Sequence, residues 1–326
     1  MTVTARVRDA ARSTATRAAE WAARLSGRPL GVVLVYHEIL PRGVSARPMV
    51  VPALRAEALE RHIGVLRSRY RVVPASDLPD AARRRRRGQR IPVAITFDDD
   101  LRSHLEVAAP LLRAADAHAT FFLTGIGLDG EAFWWQSLQA AIDRHADLAP
   151  VAREFGLPAG PPAALAAGIE RLAPEARRAL AERLDALAGP DPDRRALSGE
   201  EIARLTADGF GAGFHTRAHA RMTALDDAAL ELALHEGRAR LEAVAGAPMT
   251  TIAYPHGDAD ERVAAAAAAA GFELGFITAM APVGPDTPLL LLNRPEILAD
   301  STARFAYDLA WTYSAALRAR TASSSS

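Results

Sequence analysis

Three consecutive acids, Asp98-Asp99-Asp100, end a short β-favouring run at Val93–Phe97. Strand interiors disfavour Asp, so the acids belong where the strand stops, and in α/β folds active sites are assembled at that end. Further along, Gly213-Phe214-His215-Thr216-Arg217-Ala218-His219 carries two histidines at i and i+4. That spacing predicts both imidazoles on one face of a helical turn. One carboxylate and two imidazoles are a minimal set for a divalent metal, with positions open for water and substrate. An adjacent carboxylate is left to act as base.

Such a group needs a frame that gathers strand ends. Gly31–His37 is a continuous apolar run, as in a buried parallel strand. Helical periodicity follows over Leu54–Ser68, then a short strand at Tyr70–Val73. Five arginines, Arg83 to Arg87, read as a solvated helix end before Gly88 rather than a nucleic-acid patch, because acids and no aromatics neighbour them. Strands are predicted at Ile91–Phe97 and Thr120–Thr124, with a helix near Glu106–Ala115 between them. Residues 129–200 change character. Phe133-Trp134-Trp135 is followed by Ala-, Leu- and Arg-rich segments broken by Pro158, Pro161-Pro162, Gly189-Pro190 and Pro192, which read as a helical insertion. Ser198 and Glu201, at capping-box spacing, open a helix ending near Gly209. After the His pair come a helix at Asp226–Val244, a strand at Thr250–Tyr254 and a helix at Ala259–Ala270 stopped by Gly271. Strands near Leu274–Thr278 and Leu289–Leu292 precede a last helix at Thr302–Leu317. Alternating strands and helices predict an α/β fold with a parallel sheet or barrel, and the pattern alone does not separate these. The expected organisation is a helical leader over 1–28, one barrel domain over 29–318, and a disordered Ser-rich tail at 319–326.

Thr96-Phe97-Asp98-Asp99 resembles the first motif of the NodB-type polysaccharide deacetylases, carbohydrate esterase family 4. His215-Thr216-Arg217-Ala218-His219 resembles their second, His-Ser/Thr-x-x-His. Ala253-Tyr254-Pro255-His256-Gly257 resembles their third, an Arg-x-Pro-x-Gly-like loop in which Ala253 replaces the usual Arg. The resemblance implies a distorted (β/α) barrel of seven or eight strands carrying the insertion at 129–200. It implies Asp99, His215 and His219 as ligands of one divalent ion, zinc by default, although Co, Ni, Fe or Mn suits the same N/O set. It implies Asp98 as catalytic base; from the residue alone, a second ligand or a helix-capping acid stays open. The His256 backbone N–H would help hold the tetrahedral oxyanion, and the Tyr254-Pro255-His256-Gly257 loop would form one wall of the substrate site, with Tyr254 and Pro255 as substrate contacts and the His256 side chain either touching substrate or simply exposed. Arg294, in Leu292-Asn293-Arg294-Pro295-Glu296-Ile297, is the candidate replacement for the missing Arg, a structural salt bridge being the other reading. Asp100 stands where the family has Gly, and either crowds the site or captures a strand-end backbone donor.

The family's late motif with its proton-donating His is missing, since no His follows His256. Tyr36-His37-Glu38 ends the first strand instead. This resembles the poly-N-acetylglucosamine deacetylase branch, whose circularly permuted barrel takes its acid from an N-terminal Tyr-His motif. The resemblance therefore implies His37 as the acid that protonates the leaving amine; a buried strand-end His satisfied by backbone is the alternative. Trp134 and Trp135 offer flat surfaces for sugar stacking or for packing the insertion onto the barrel.

Composition narrows the rest. The 326 residues are 49% hydrophobic with 39 basic against 39 acidic groups, which fits a folded domain and gives no electrostatic case for nucleic acid. Absence of Lys excludes Schiff-base lysine chemistry, and absence of Cys excludes thiolate sites and disulfides. No Gly-x-Ser-x-Gly elbow suggests an acyl-enzyme. No apolar run approaches the ~18–20 residues of a membrane span, and Met1–Arg28 does not read as a secretory signal. An amphipathic helix there, with Ala19, Trp21, Ala22 and Leu25 on one face, would pack on the domain or touch a membrane surface. The expectation is a cytoplasmic, metal-dependent N-deacetylase of an amino sugar or amino-sugar glycan, working in solution or at the membrane surface. Its rivals are a deformylase or other small-amide hydrolase on the same barrel, and a catalytically silent carbohydrate-binding barrel.

Overall fold

A computed structural model describes residues 3–318, other than 45–46, 159, 190 and 192–193; the Ser-rich tail lies outside the described residues. The strands are β1 (Val32–Tyr36), β2 (Glu38–Leu40), β3 (Ala53–Arg55), β4 (Arg71–Val72), β5 (Pro92–Asp98), β6 (Thr120–Leu123), β7 (Gly211–Phe214), β8 (Thr251–Ala253), β9 (Leu274–Ile277) and β10 (Leu292–Asn293). The main sheet runs β1-β5-β6-β7-β8-β9-β10, with β4 added at the start of β5. Every ladder in it is parallel. A bridge from Val35 to Glu296 returns the end of this path to β1, so seven strands form a nearly closed barrel. The fold is therefore the distorted (β/α) barrel that the family resemblance implies.

Side chains alternate across a strand, and that alternation divides the core. Val33, Ala94, Phe122, Ala253, Phe276 and Leu292 share one compact cluster that fills the lumen, and Leu78 and Ala81 of the helix Leu78–Arg83 belong to it. The intervening positions, among them Val32, Leu34, Ile95, Phe97 and Phe121, join a larger cluster with the surrounding helices. In β7 the lumen position is Gly213, where a Cβ would lie 2.5 Å from the Phe122 ring. Glycine here lets that ring fill the lumen.

Most elements lie where they were predicted. The sequence reading had no strand at β7, because Gly211-Ala212-Gly213 lacks the β-branched or aromatic residues that mark one. Leu289–Leu292 contracts to the two-residue β10. The single helix expected over Asp226–Val244 is two, Asp227–His235 and Arg238–Ala245, separated at Gly237 with φ 78°. The insertion consists of helices Trp134–Asp143, Ala149–Glu154, Pro162–Ile169 and Pro174–Ala188, which bury a cluster of their own around Leu138, Val151, Ile169 and Leu184.

The N-terminal helix, Val3–Ser26, packs along the last helix, Thr302–Arg318. Its buried residues include Thr16 and Ala23, whereas Trp21 is 67% and Leu25 41% exposed. Of the face expected from Ala19, Trp21, Ala22 and Leu25, only Ala19 packs against the core, while the other three are exposed. The arginine run is not wholly solvated either: Arg85 is buried and its guanidinium donates to the carbonyls of Ala23, Arg28 and Gln89. Among the described residues no helix is long and apolar enough to cross a membrane.

Candidate active site

Beyond the strand ends the lumen-facing column turns polar. Counting on by two from the lumen residues gives His37, Asp98, Thr124, His215, Pro255, Thr278 and Glu296. Five of these seven, all but Thr124 and Pro255, line one cleft of about 260 Å³ together with Asp99, His219 and His256.

Asp99 has φ 81°, and its Oδ1 lies 3.3 Å from Nε2 of His215 and 3.3 Å from Nε2 of His219. His215 donates from Nδ1 to the Ala253 carbonyl at 2.8 Å, which leaves a lone pair on its Nε2. That lone pair faces a buried carboxylate oxygen with no hydrogen-bond partner. Two acceptors so placed repel unless a cation or a proton lies between them. Burial opposes the charge on Asp99, but the two imidazoles hold its carboxyl well below the usual range. One ligand atom from each residue falls within 4.8 Å of the others, so the group could hold a metal ion. The turn that presents the histidines is not helical. Thr216 and His219 have φ 53° and 44°, and the His219 N–H donates to Thr216 O at 3.3 Å. The expected i, i+4 helical face is thus replaced by a left-handed turn that still converges both rings.

Asp98 is gripped by Arg294. Two hydrogen bonds of 2.7 Å run from the guanidinium to the two carboxylate oxygens, and a third of 3.2 Å reaches Thr96 Oγ1. Burial raises the Asp98 pKa, but Arg294, His215 and His37 outweigh it and the net direction is down. Arg294 is fully buried between the rings of Phe122 and Phe276, so its side chain does not line the substrate side of the cleft. It orients the acid, and the Ala253 departure is compensated from another strand end.

His37 pairs through Nδ1 with Glu296 Oε1 at 2.9 Å. Burial disfavours its charge, yet the Glu296 contact, Asp99 and Asp98 raise its pKa to about 9. The buried His104, held neutral by a pKa lowered to about 4 through burial, donates from Nε2 to the His37 carbonyl at 3.1 Å. Asp100 points away from the cleft. It accepts from Thr124 N at 3.1 Å, Thr124 Oγ1 at 2.8 Å and Gly125 N at 3.2 Å. Of its two expected readings, capture of a strand-end donor is the one found.

The third motif divides. Tyr254 is fully buried and donates to Leu290 O at 3.0 Å, and Pro255 is buried too. Neither lines the cleft, which corrects their reading as substrate contacts; the wall expected of this loop comes from its other two residues, His256 and Gly257. The His256 ring centroid is 4.9 Å from that of His219. Burial above all, with His219, Arg221 and His215 nearby, lowers its pKa to about 3, keeping it neutral. Trp135 is 5% exposed, stacked on Phe133 at 4.2 Å, and 4.8 Å from the His219 ring. It packs the insertion against the His pair, and both it and the half-buried Trp134 line the cleft. Glu296, Thr278 and Glu170 were not singled out beforehand. The two-residue period carried past β9 and β10 would have found the first two; Glu170 arrives from the insertion, and nothing local in the sequence marks it.

The polysaccharide deacetylase family model matches residues 85–275, more than half of the chain. No curated protein sequence matches the chain. Solved structures share the fold at low identity. The Streptococcus pyogenes deacetylase PplD, in complex with acetate, has a TM-score of 0.60 at 16% identity, covering 87% of this chain and 97% of that one. BC0361, a polysaccharide deacetylase from Bacillus cereus, has a TM-score of 0.57 at 18% identity over 86% and 69%. IcaB from Ammonifex degensii has 0.53 at 19% identity over 84% and 94%.

Proposed function

The chain belongs to the polysaccharide deacetylase family, a family of deacetylase hydrolases, and from that premise we propose that it removes the N-acetyl group of an amino sugar or amino-sugar glycan. The observation that carries the reading is the orphaned Asp99 Oδ1 facing two imidazole nitrogens, within a cleft that also presents an anchored acid and a charged histidine. Asp99, His215 and His219 would hold a divalent ion, zinc by default, which supplies a Lewis acid that polarises the amide carbonyl and acidifies water.

The chain's own residues do the rest. Asp98, kept ionised by Arg294, takes a proton from the attacking water. His37, kept protonated by Glu296, gives its proton to the departing nitrogen as the C–N bond breaks, so that acetate and a free amine result. The His256 backbone N–H helps hold the oxyanion. The pairing of an N-terminal Tyr-His motif with this site is what supports the poly-N-acetylglucosamine branch and its permuted barrel. The acetate held by the Streptococcus pyogenes deacetylase supports acetyl over formyl. Asp100 and Ala253, the best support for a silent barrel, both have compensating partners here.

The test is turnover of N-acetylglucosamine oligomers and their N-formyl analogues. Acetate and free amine should appear one for one, stop with chelator, and resume with added zinc or cobalt. No release from either substrate with any divalent ion would overturn the reading.

A further inference from the structure

The insertion brings one acid to the cleft. Its helix Pro162–Ile169 turns Leu165 and Ile169 into the insertion's own cluster. Ala166 and Glu170, four apart on the adjoining face, line the cleft instead. The other cleft acids are committed: Asp98 to Arg294, Asp99 to the two imidazoles, Glu296 to His37. Among the described residues Glu170 meets only Nδ1 of His256, at 3.9 Å and so beyond hydrogen-bond reach. Arg177 feels its charge but donates to the Leu172 carbonyl at 3.4 Å. Glu170 also follows the last residue of its helix, where the aligned peptide dipoles disfavour an acid. The fold gains nothing from a carboxylate there. Depth sets it against the sugar rather than the acyl group. The side chains of Asp98 and Asp99 are 4% exposed, that of Glu170 41%. An acyl carbonyl must reach the buried ligands, so the ring that carries it fills the mouth, where Glu170 and Trp134 stand.

We propose that Glu170 is a specificity-determining residue whose carboxylate accepts hydrogen bonds from ring hydroxyls of the sugar that carries the N-acyl group. The proposal rests on the amino-sugar reading above. An ionised carboxylate only accepts, and its two oxygens take two donors at once, which suits neighbouring hydroxyls. The other partner open to it is an ammonium, as on an adjacent sugar already stripped of its acyl group. Arg177, whose charge Glu170 already meets, weighs against a second cation. The insertion thereby reads the sugar, while the barrel's strand ends work on the amide.

The experiment crosses residue with hydroxyl on zinc-loaded protein. The substrates are the methyl glycoside of N-acetylglucosamine and its 3-, 4- and 6-deoxy analogues, followed by steady-state kinetics and titration calorimetry. Glu170→Ala should raise KM for the parent glycoside about 10-fold, the loss of a hydrogen bond to a charged group, with kcat within about twofold and zinc content unchanged. At least one deoxy analogue should show the same rise with the wild type and no further rise with Glu170→Ala. Glu170→Gln, which keeps one acceptor oxygen, should recover part of the loss. An unchanged KM in Glu170→Ala, or penalties that simply add for all three hydroxyls, overturns the proposal. So does a Glu170→Gln variant as weak as Glu170→Ala on oligomers that bind more tightly once one sugar carries a free amine, because the partner would then be an ammonium. If no glycoside is turned over, calorimetry reads the same cycle. A Kd that depends on Glu170 then supports the hydroxyl contact and faults the deacetylase reading, whereas binding that is absent or indifferent to Glu170 overturns the contact itself.

Discussion

Arg294 and Arg85 are both buried, 0% and 3% exposed, at opposite ends of the barrel. Arg294 is matched by a carboxylate, two hydrogen bonds to two oxygens of Asp98. Among the described residues Arg85 meets backbone carbonyls alone, those of Ala23, Arg28 and Gln89, and burial lowers its pKa. A buried charge is tolerated when paired or well hydrogen-bonded, and the chain uses both solutions. At the mouth, the counter-charge is a working acid, so the pair's geometry is chemistry. At the foot, the guanidinium ties the end of the N-terminal helix to the barrel, so its geometry is architecture.

The largest effects should come from the mouth. Asp98→Asn should lower kcat by about 10²–10⁴ with zinc content unchanged, measured by steady-state kinetics and elemental analysis. Arg294→Met should lower kcat comparably and also cost about 3–5 kcal/mol of stability by stranding a buried charge. Full kcat in Arg294→Met would erase the contrast with Arg85.

The next effect is a displaced pH profile. His37 has a folded pKa of about 9, above the ordinary value of 6.5. Its pairing with Glu296 therefore adds stability that is complete below about pH 6.5 and lost as pH rises through about 9. Activity that needs the protonated ring should fall over the same upper limb. Glu296→Gln should move that limb of kcat/KM downward without changing zinc content. A limb that stays in place would remove His37 from the acid role.

Much of the site was legible because its chemistry is local in sequence. Asp98-Asp99 ends a strongly β-favouring strand, and His215 and His219 are four residues apart, so type and spacing were visible together. The roles of Arg294 and Glu296 depend on β10 lying next to β1 after the barrel nearly closes, and no short window holds that information. The turn at His215 was misread as helical because a spacing of four also fits a left-handed turn, with Thr216 at φ 53° and His219 at φ 44°. The strand before it was invisible because packing around Phe122, rather than propensity, selects Gly213.

At the foot, Arg85→Met should leave kcat at 25 °C unchanged while lowering stability by about 1–3 kcal/mol through unsatisfied carbonyls, read as a fall in Tm. A loss of kcat there would mean that the N-terminal helix reaches the site's geometry. The smallest effects separate the tryptophans. Trp135→Ala should cost about 3–5 kcal/mol as a buried aromatic. Trp134→Ala should instead raise KM for the sugar a few-fold at nearly unchanged Tm. Matching losses of Tm and an unchanged KM in both would make the pair purely a packing element.

Five of the seven described non-glycine residues with positive φ are Asp99, Asp100, Thr216, His219 and His256. Each such conformation stores about 1–3 kcal/mol, and all five belong to the loops that converge on one rim. The surrounding packing has to hold that strain in place, as the three hydrogen bonds to Asp100 do. Catalytic lifetime and fold lifetime are therefore expected to be separable on warming: activity should fall at a lower temperature than the helical circular-dichroism signal, and coincident losses would show that the strained rim opens only with the whole fold.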